Sequence, residues 1–148
     1  MKRDTPWQQQ ANARAEAARV RGRQGEDAAA AHLAAAGLRV VERNWRQGRL
    51  ELDLVCREGD TLVFVEVKTR DAHGMATPAD ALTPRKRSAL MRAIQAWLAA
   101  HDAWDAPCRI DIVAAYARPG SPVTLEHIRD ALEFTPPLGG GDAAWQPW

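Results

Sequence analysis

Apolar and polar positions recur with two different periods along this chain, and the switches between them outline its elements. Residues 24–36 form an alanine-rich helical run closed by Gly37, a residue suited to the left-handed end of a helix. Residues 38–45 read as a strand. Two alternating runs, 50–56 and 61–68, flank Arg57-Glu58-Gly59-Asp60, which predicts a β-hairpin. After a long loop over 69–82, Thr83 and Pro84 supply an N-cap and a first-turn proline for a helix whose Leu90, Ile94, Trp97 and Leu98 fall on one stripe. Residues 108–116 are a further apolar strand, and 123–132 a final short strand or helix. The order of elements predicts an α/β fold, a central mixed sheet of four to five strands flanked by helices.

The two ends lack such periodicity. Residues 1–20 are polar and alanine-rich with scattered arginines, a flexible basic N-terminal arm or frayed helix. Residues 134–148, rich in proline and glycine, read as a flexible C-terminal tail. A single domain over 21–133 is the expectation for a chain of 148 residues.

Composition narrows the function classes. No apolar run reaches membrane-spanning length and the N-terminus lacks the apolar stretch of a signal peptide, so a cytoplasmic protein without membrane contact is expected. Cys56 and Cys108 are the only cysteines, which suggests neither a disulfide framework nor a structural zinc site; both are expected to pack as small hydrophobes. A net charge of +1 argues against a strongly basic nucleic-acid wrapper but leaves room for a local patch. The positive charge is nearly all arginine, the residue suited to bidentate phosphate contact, because lysine occurs only at 2, 68 and 86.

Chemistry concentrates in the hairpin. Strand side chains alternate faces, which puts Leu50, Leu52, Leu54 and Cys56 on one side and Glu51, Asp53 and Val55 on the other. In the second strand Val63, Val65 and Val67 oppose Leu62, Phe64, Glu66 and Lys68. Matching the apolar faces requires an even-residue loop, and that condition brings Asp53 and Glu66 to the same face. With a Glu58-Gly59 turn the two are diagonal, roughly 7–8 Å apart at the backbone. With a Gly59-Asp60 turn they are directly opposed. A solvated outer face could carry the same charges, yet Val55, Leu62 and Phe64 share it. Carboxylates crowded at partial burial repel by about 4 kcal/mol per close pair unless a cation sits among them. Hard oxygen ligands at few positions suit Mg²⁺ or Mn²⁺ better than zinc. Lys68, two residues beyond Glu66, can orient the attacking water or neutralise charge developing at phosphorus.

The segments GRQGEDAAAAHLAAAGLRVVERNWR, LELDLV, LVFVEVKTR and RIDIV, from about Gly22 to Val113, resemble the YraN-like small nucleases of the PD-(D/E)xK superfamily. The resemblance implies a restriction-endonuclease-like core, relatedness to Holliday-junction resolvases, and Asp53, Glu66 and Lys68 as the catalytic set, with Glu26 as an additional acid. Asp53, Glu66 and Glu26 would be the metal ligands. Leu52 replaces the superfamily's proline before the aspartate. Leu50 stands where the family usually has glycine, with Gly48 two residues earlier, and a bulkier residue there changes how closely a substrate backbone approaches.

Several residues stand around this set. Glu26 shares a helix face with Ala30 and Leu33, which turns it inward, although a first-turn glutamate also suits the helix dipole. Arg85, Lys86 and Arg87 crowd the first turn of their helix against the dipole, a placement that suits an anion. With Arg70 they are the expected nucleic-acid contacts, Lys86 pointing toward the site because it shares the face of Leu90, Ile94 and Trp97. An ordinary solvated turn would look the same. Asp111 either faces the site side or pairs with a neighbouring arginine such as Arg109, and the structural role is the expectation. Four scattered histidines show no ligand spacing, and His73 in the long loop is the one to watch.

The function expected is metal-dependent hydrolysis of DNA, with branched or junction DNA as one substrate form and a homodimer as a fitting assembly, since a junction needs two scissions. A non-catalytic nucleic-acid- or partner-binding module on the same fold is the rival. Its weakness is that such a module has no reason to keep Asp53, Glu66 and Lys68 in phase. RNA as substrate stays open.

Overall fold

The computed structural model describes residues 2–71, 82–118 and 120–134. Helix α1 (Pro6–Ala35) is followed by strands β1 (Arg39–Gln47), β2 (Leu50–Glu58) and β3 (Thr61–Asp71), helix α2 (Pro84–Ala100), and strands β4 (Cys108–Ala117) and β5 (Thr124–Leu132). The five strands form one mixed sheet in the order β1-β2-β3-β4-β5. Every neighbouring pair is antiparallel except β3 and β4. A parallel pair needs a crossover, and α2 lies in it. The architecture matches the expected α/β class and is consistent with a restriction-endonuclease-like core.

Each sheet face buries one helix. On one face Phe64, Val55, Leu62 and Ile110 pack against Leu90, Ile94, Trp97 and Leu98 of α2, the Phe64 and Trp97 rings meeting edge to face at 5.6 Å. On the other, Leu54, Cys56, Val63, Val65 and Val113 pack against Ala29 and Leu33 of α1. The apolar stripe expected of α2 is therefore core, and Thr83 caps it, its hydroxyl oxygen accepting from the Lys86 amide at 3.2 Å. Cys56 is buried and Cys108 half-buried; both are free thiols.

Two boundaries differ from expectation. The first helix begins at Pro6, not near residue 24. Thr5 and Gln8 form a capping box that starts it, so residues 6–20 are helical although almost wholly exposed. Segment 123–132 resolves to a strand. The expected loop over 69–82 begins later, because β3 runs on to Asp71; the remainder, His73 and the expected tail from residue 135 onward lie outside the described residues. Among the described residues no helix is long and apolar enough to cross a membrane.

Candidate active site

The β2–β3 hairpin turns at Gly59-Asp60, because Glu58 pairs with Thr61. Gly59 takes the left-handed conformation, φ +58°, that a two-residue turn demands of its first position. This register sets Leu54 against Val65, and the next residues along the two strands are Asp53 and Glu66.

Asp53 owes its orientation to a reversal in β2. Leu54 and Cys56 pack on the α1 side, but Leu50 and Leu52 pack on the α2 side. The chain turns over between them. This corrects the expectation that all four share a face. Strand β1 reverses at the same level: Arg43 meets Asp27 of α1 while Trp45 packs on the α2 side. Between them Asn44 has φ 52°, a left-handed backbone that asparagine tolerates better than most residues.

The regular pairing of β2 with β3 stops at Leu54–Val65. Beyond it the Asp53 carboxylate reaches across to accept the Val67 amide at 2.8 Å. Glu66 and Lys68 continue the alternation of Leu62 and Phe64, toward the α2 side, and Lys68 Nζ lies 3.0 Å from Glu66 Oε1. Burial, and after it the Glu66 carboxylate, push the Asp53 carboxyl up to about 8 from an ordinary 3.8. The Val67 amide works in the opposite direction, and the charge of Glu26 adds to the rise. Two acids thus face each other at partial burial with one ammonium beside them.

An open cleft of about 340 Å³ lies over this pair. The hairpin contributes Asp53, Glu66 and Lys68; the start of β2 and its preceding turn contribute Arg49, Leu50 and Glu51; α2 contributes Lys86, Ala89 and Leu90. The other expected contacts are placed differently. Arg85 is exposed and does not line the cleft, and Arg87 Nε donates back to the Leu82 carbonyl at 3.2 Å. Arg70 is half-buried two residues beyond Lys68, outside the cleft lining. Glu26, half-buried, acts on Asp53 through its charge. Among the described residues, no three acidic, histidine or cysteine side chains form a ready-made metal cluster. Asp53 and Glu66 meet directly; Glu26 stands further back.

Arg49 was not singled out by sequence, and Glu51 only as a charge on the Asp53 face of the first hairpin strand. Both depend on the tight Gly48-Arg49 connection between Gln47 and Leu50, which brings the turn to the cleft. Leu50, the departure from the family glycine, lines the same wall.

Asp111 faces the other way and is fully buried. Arg109 grips it through Nε and Nη2 at 2.8 and 3.0 Å, His127 Nε2 lies 2.8 Å away, and the Asp130 amide donates at 2.9 Å. Burial alone would raise this carboxyl, but the Arg109, Asp130 and His127 hydrogen bonds and the Arg109 charge hold it below the ordinary carboxylate value. The structural reading of Asp111 stands. His101 stacks on Trp97 at 3.9 Å, and His32 meets His127 edge to face at 5.5 Å.

The family described as "Uncharacterised protein family UPF0102" matches residues 25–115, which include Glu26 and every cleft-lining residue named above. The chain is 60% identical over 127 residues to a UPF0102 protein of Nitratidesulfovibrio vulgaris (strain DP4), across 86% of this chain and 94% of the relative. It is 42% identical over 127 residues to a UPF0102 protein of Lawsonia intracellularis, across 86% and 96%. Against a UPF0102 protein of Oleidesulfovibrio alaskensis the identity is 40% over 186 residues, across 86% and 92%.

Proposed function

The chain belongs to the UPF0102 family, and from the chemistry gathered at its cleft we propose that it is a metal-dependent nuclease of the PD-(D/E)xK superfamily, hydrolysing DNA phosphodiester bonds. The observation that carries this reading is the meeting of Asp53 and Glu66 where β2 and β3 part, with Lys68 3.0 Å from Glu66.

The donor set fits a hard divalent cation. Mg²⁺ commonly takes one or two carboxylates and completes its shell with waters and substrate oxygens, so two facing acids in an open cleft suffice. An Asp53 carboxyl raised to about 8 marks a place where negative charge is under-compensated by the protein itself. Asp53 and Glu66 would hold the ion, with Glu26 adding negative charge from α1. When bound, Mg²⁺ or Mn²⁺ supplies Lewis-acid polarisation of a phosphoryl oxygen and a water of lowered pKa.

The chain's own groups divide the remaining work. The Val67 amide fixes one oxygen of Asp53 and so orients the carboxylate. Lys68 keeps an ammonium at the reacting centre, where it orients water and offsets charge developing on the phosphoryl oxygens. Lys86 from α2 and Arg49 from the β1–β2 turn put positive charge on two sides of the acids, suited to the neighbouring phosphates. Branched DNA is the substrate form that the family resemblance adds, with a homodimer supplying the paired scissions.

The test is a cleavage screen of linear, flapped, four-way and single-stranded DNA, with RNA alongside, in the presence and absence of Mn²⁺. Cleavage that requires Mn²⁺ and disappears in Asp53→Ala and Lys68→Ala is the expected result. Equal cleavage by wild type and both variants would overturn the assignment.

A further inference from the structure

Helix α1 is 30 residues long, roughly 45 Å at 1.5 Å per residue, yet its buried positions are Gly25, Ala29 and Leu33, all in its C-terminal part. Residues 2–24 are exposed apart from half-buried Gln8 and Gly22. This half of the helix gains little from burial. Its helicity rests on alanine propensity and on the Thr5–Gln8 capping box.

Its charge is unlike that of the rest. Residues 2–24 hold six basic side chains (Lys2, Arg3, Arg14, Arg19, Arg21, Arg23) against two acidic ones (Asp4, Glu16), a net +4 in a chain whose total is +1. The remainder is therefore net −3, and its acids include Glu26, Glu51, Asp53 and Glu66 around the cleft. A polyanion held over that cleft meets repulsion from the body and needs attraction from elsewhere. Glu16 lies 3.7 Å from Arg19 and 3.6 Å from Arg23, with side chains 58–71% exposed, pairs weak enough to exchange for phosphate.

The exposed half also begins against the strand that carries Lys68, on its α1 face. At Gly25 the helix backbone comes so close to β3 that an added Cβ would lie 2.3 Å from Thr69 Oγ1, one residue beyond Lys68. Glu26, the next residue, is the one whose charge reaches Asp53.

We infer that the exposed half of α1 is a nucleic-acid-binding arm that grips the phosphate backbone of the substrate outside the cleft, through Arg14, Arg19, Arg21 and Arg23. The choice of nucleic acid as the polyanion rests on the nuclease reading. Arg14 and Arg21, seven residues apart, share one stripe; Arg19 and Arg23, four apart, share another. From Arg14 to Arg23 the helix advances roughly 14 Å, about four base-pair rises of a duplex, so more than one phosphate is within reach.

The test is fluorescence anisotropy of a labelled DNA duplex of about 20 base pairs, titrated with full-length protein in EDTA across a salt series upward from about 50 mM. Wild type is compared with the fourfold variant Arg14→Gln, Arg19→Gln, Arg21→Gln, Arg23→Gln and with the fourfold lysine variant at the same positions. The glutamine variant should bind about tenfold more weakly or worse at the lowest salt. Its slope of log K against log salt should fall by about two or more, at about 0.9 for each phosphate no longer neutralised. The lysine variant should keep the slope, and circular dichroism should show equal helix in all three, since glutamine and lysine match arginine in propensity. Unchanged affinity and slope in the glutamine variant overturn the arm. Loss of binding to anionic phospholipid vesicles with DNA binding intact overturns it in favour of a membrane surface. Arm-dependent DNA binding by a wild type that cleaves nothing sinks the nuclease reading and keeps the arm, whereas Mn²⁺-dependent cleavage with unchanged KM in the glutamine variant does the reverse.

Discussion

Asp53 and Asp111 sit in matching irregularities of one sheet and have opposite electrostatics. Each lies where strand register breaks or reverses, each accepts one backbone amide from a neighbouring strand, and each is accompanied on an adjoining strand by a left-handed residue, Asn44 for Asp53 and Asp130 for Asp111. Around Asp111 the fold supplies a bidentate arginine and a histidine, and the carboxyl is held below its ordinary value. Around Asp53 it supplies burial first and a second carboxylate next, and the carboxyl rises to about 8. A buried charge that serves structure is completed by the chain. On the nuclease reading, one that serves chemistry is left incomplete, for a cation that comes from solution.

The comparison breaks first on activity. Asp53→Ala and Lys68→Ala should lower Mn²⁺-dependent DNA cleavage to background, a loss on the order of 10²–10³ or more, in initial-rate assays. Asp53→Ala should unfold in denaturant at least as reluctantly as metal-free wild type, since removing Asp53 relieves repulsion, whereas Lys68→Ala should cost about 1–3 kcal/mol, since Glu66 then keeps its largely buried charge without the ammonium 3.0 Å away. Asp111→Ala should show the converse, a loss of about 3–5 kcal/mol in equilibrium unfolding, because Arg109 and His127 are left without their buried partner. Added Mn²⁺ at about 100 times its Kd should stabilise wild type by about 2.7 kcal/mol, read as a shift in Tm, and should leave Asp53→Ala unmoved.

The pH effects are read as slopes, at most about 1.4 kcal/mol per pH unit for each group. Asp53 is raised, so its contribution to metal-free stability is present below about 4 and lost as pH rises through about 8. Asp111 is lowered, so its contribution is present above the ordinary carboxylate value and lost as pH falls through its depressed one. Denaturant unfolding across pH should therefore lose the slope between about pH 4 and about pH 8 in Asp53→Asn and keep the acid limb.

How much of this was legible in the sequence follows from where the information sits. The hairpin, its even loop and the phase of Glu66 and Lys68 were legible because β3 alternates strictly. The reversal at Asp53 was not, since both faces of the sheet are covered by helices and an apolar residue fits either side. Val55 opposite the leucines was a sign of that double burial, and Asn44 the residue type suited to the turnover. The early start of α1 was written in Thr5-Pro6-Trp7-Gln8, a capping box that weak periodicity overshadowed. The Arg109–Asp111 pair, two residues apart on one strand, could be read locally. His127 and the Asp130 amide could not, because the β4–β5 pairing brings them in. Arg49 reaches the cleft through a turn geometry that composition does not encode.

Mn²⁺ binding followed by titration calorimetry at pH 7, in buffers of different ionisation enthalpy, tests the incomplete carboxylate most directly. A carboxyl raised to about 8 must give up its proton when the ion arrives, so wild type should release close to one proton per ion bound, and Asp53→Asn should bind weakly and release none. Binding of equal strength in both proteins, or binding by wild type without proton release, would contradict the account.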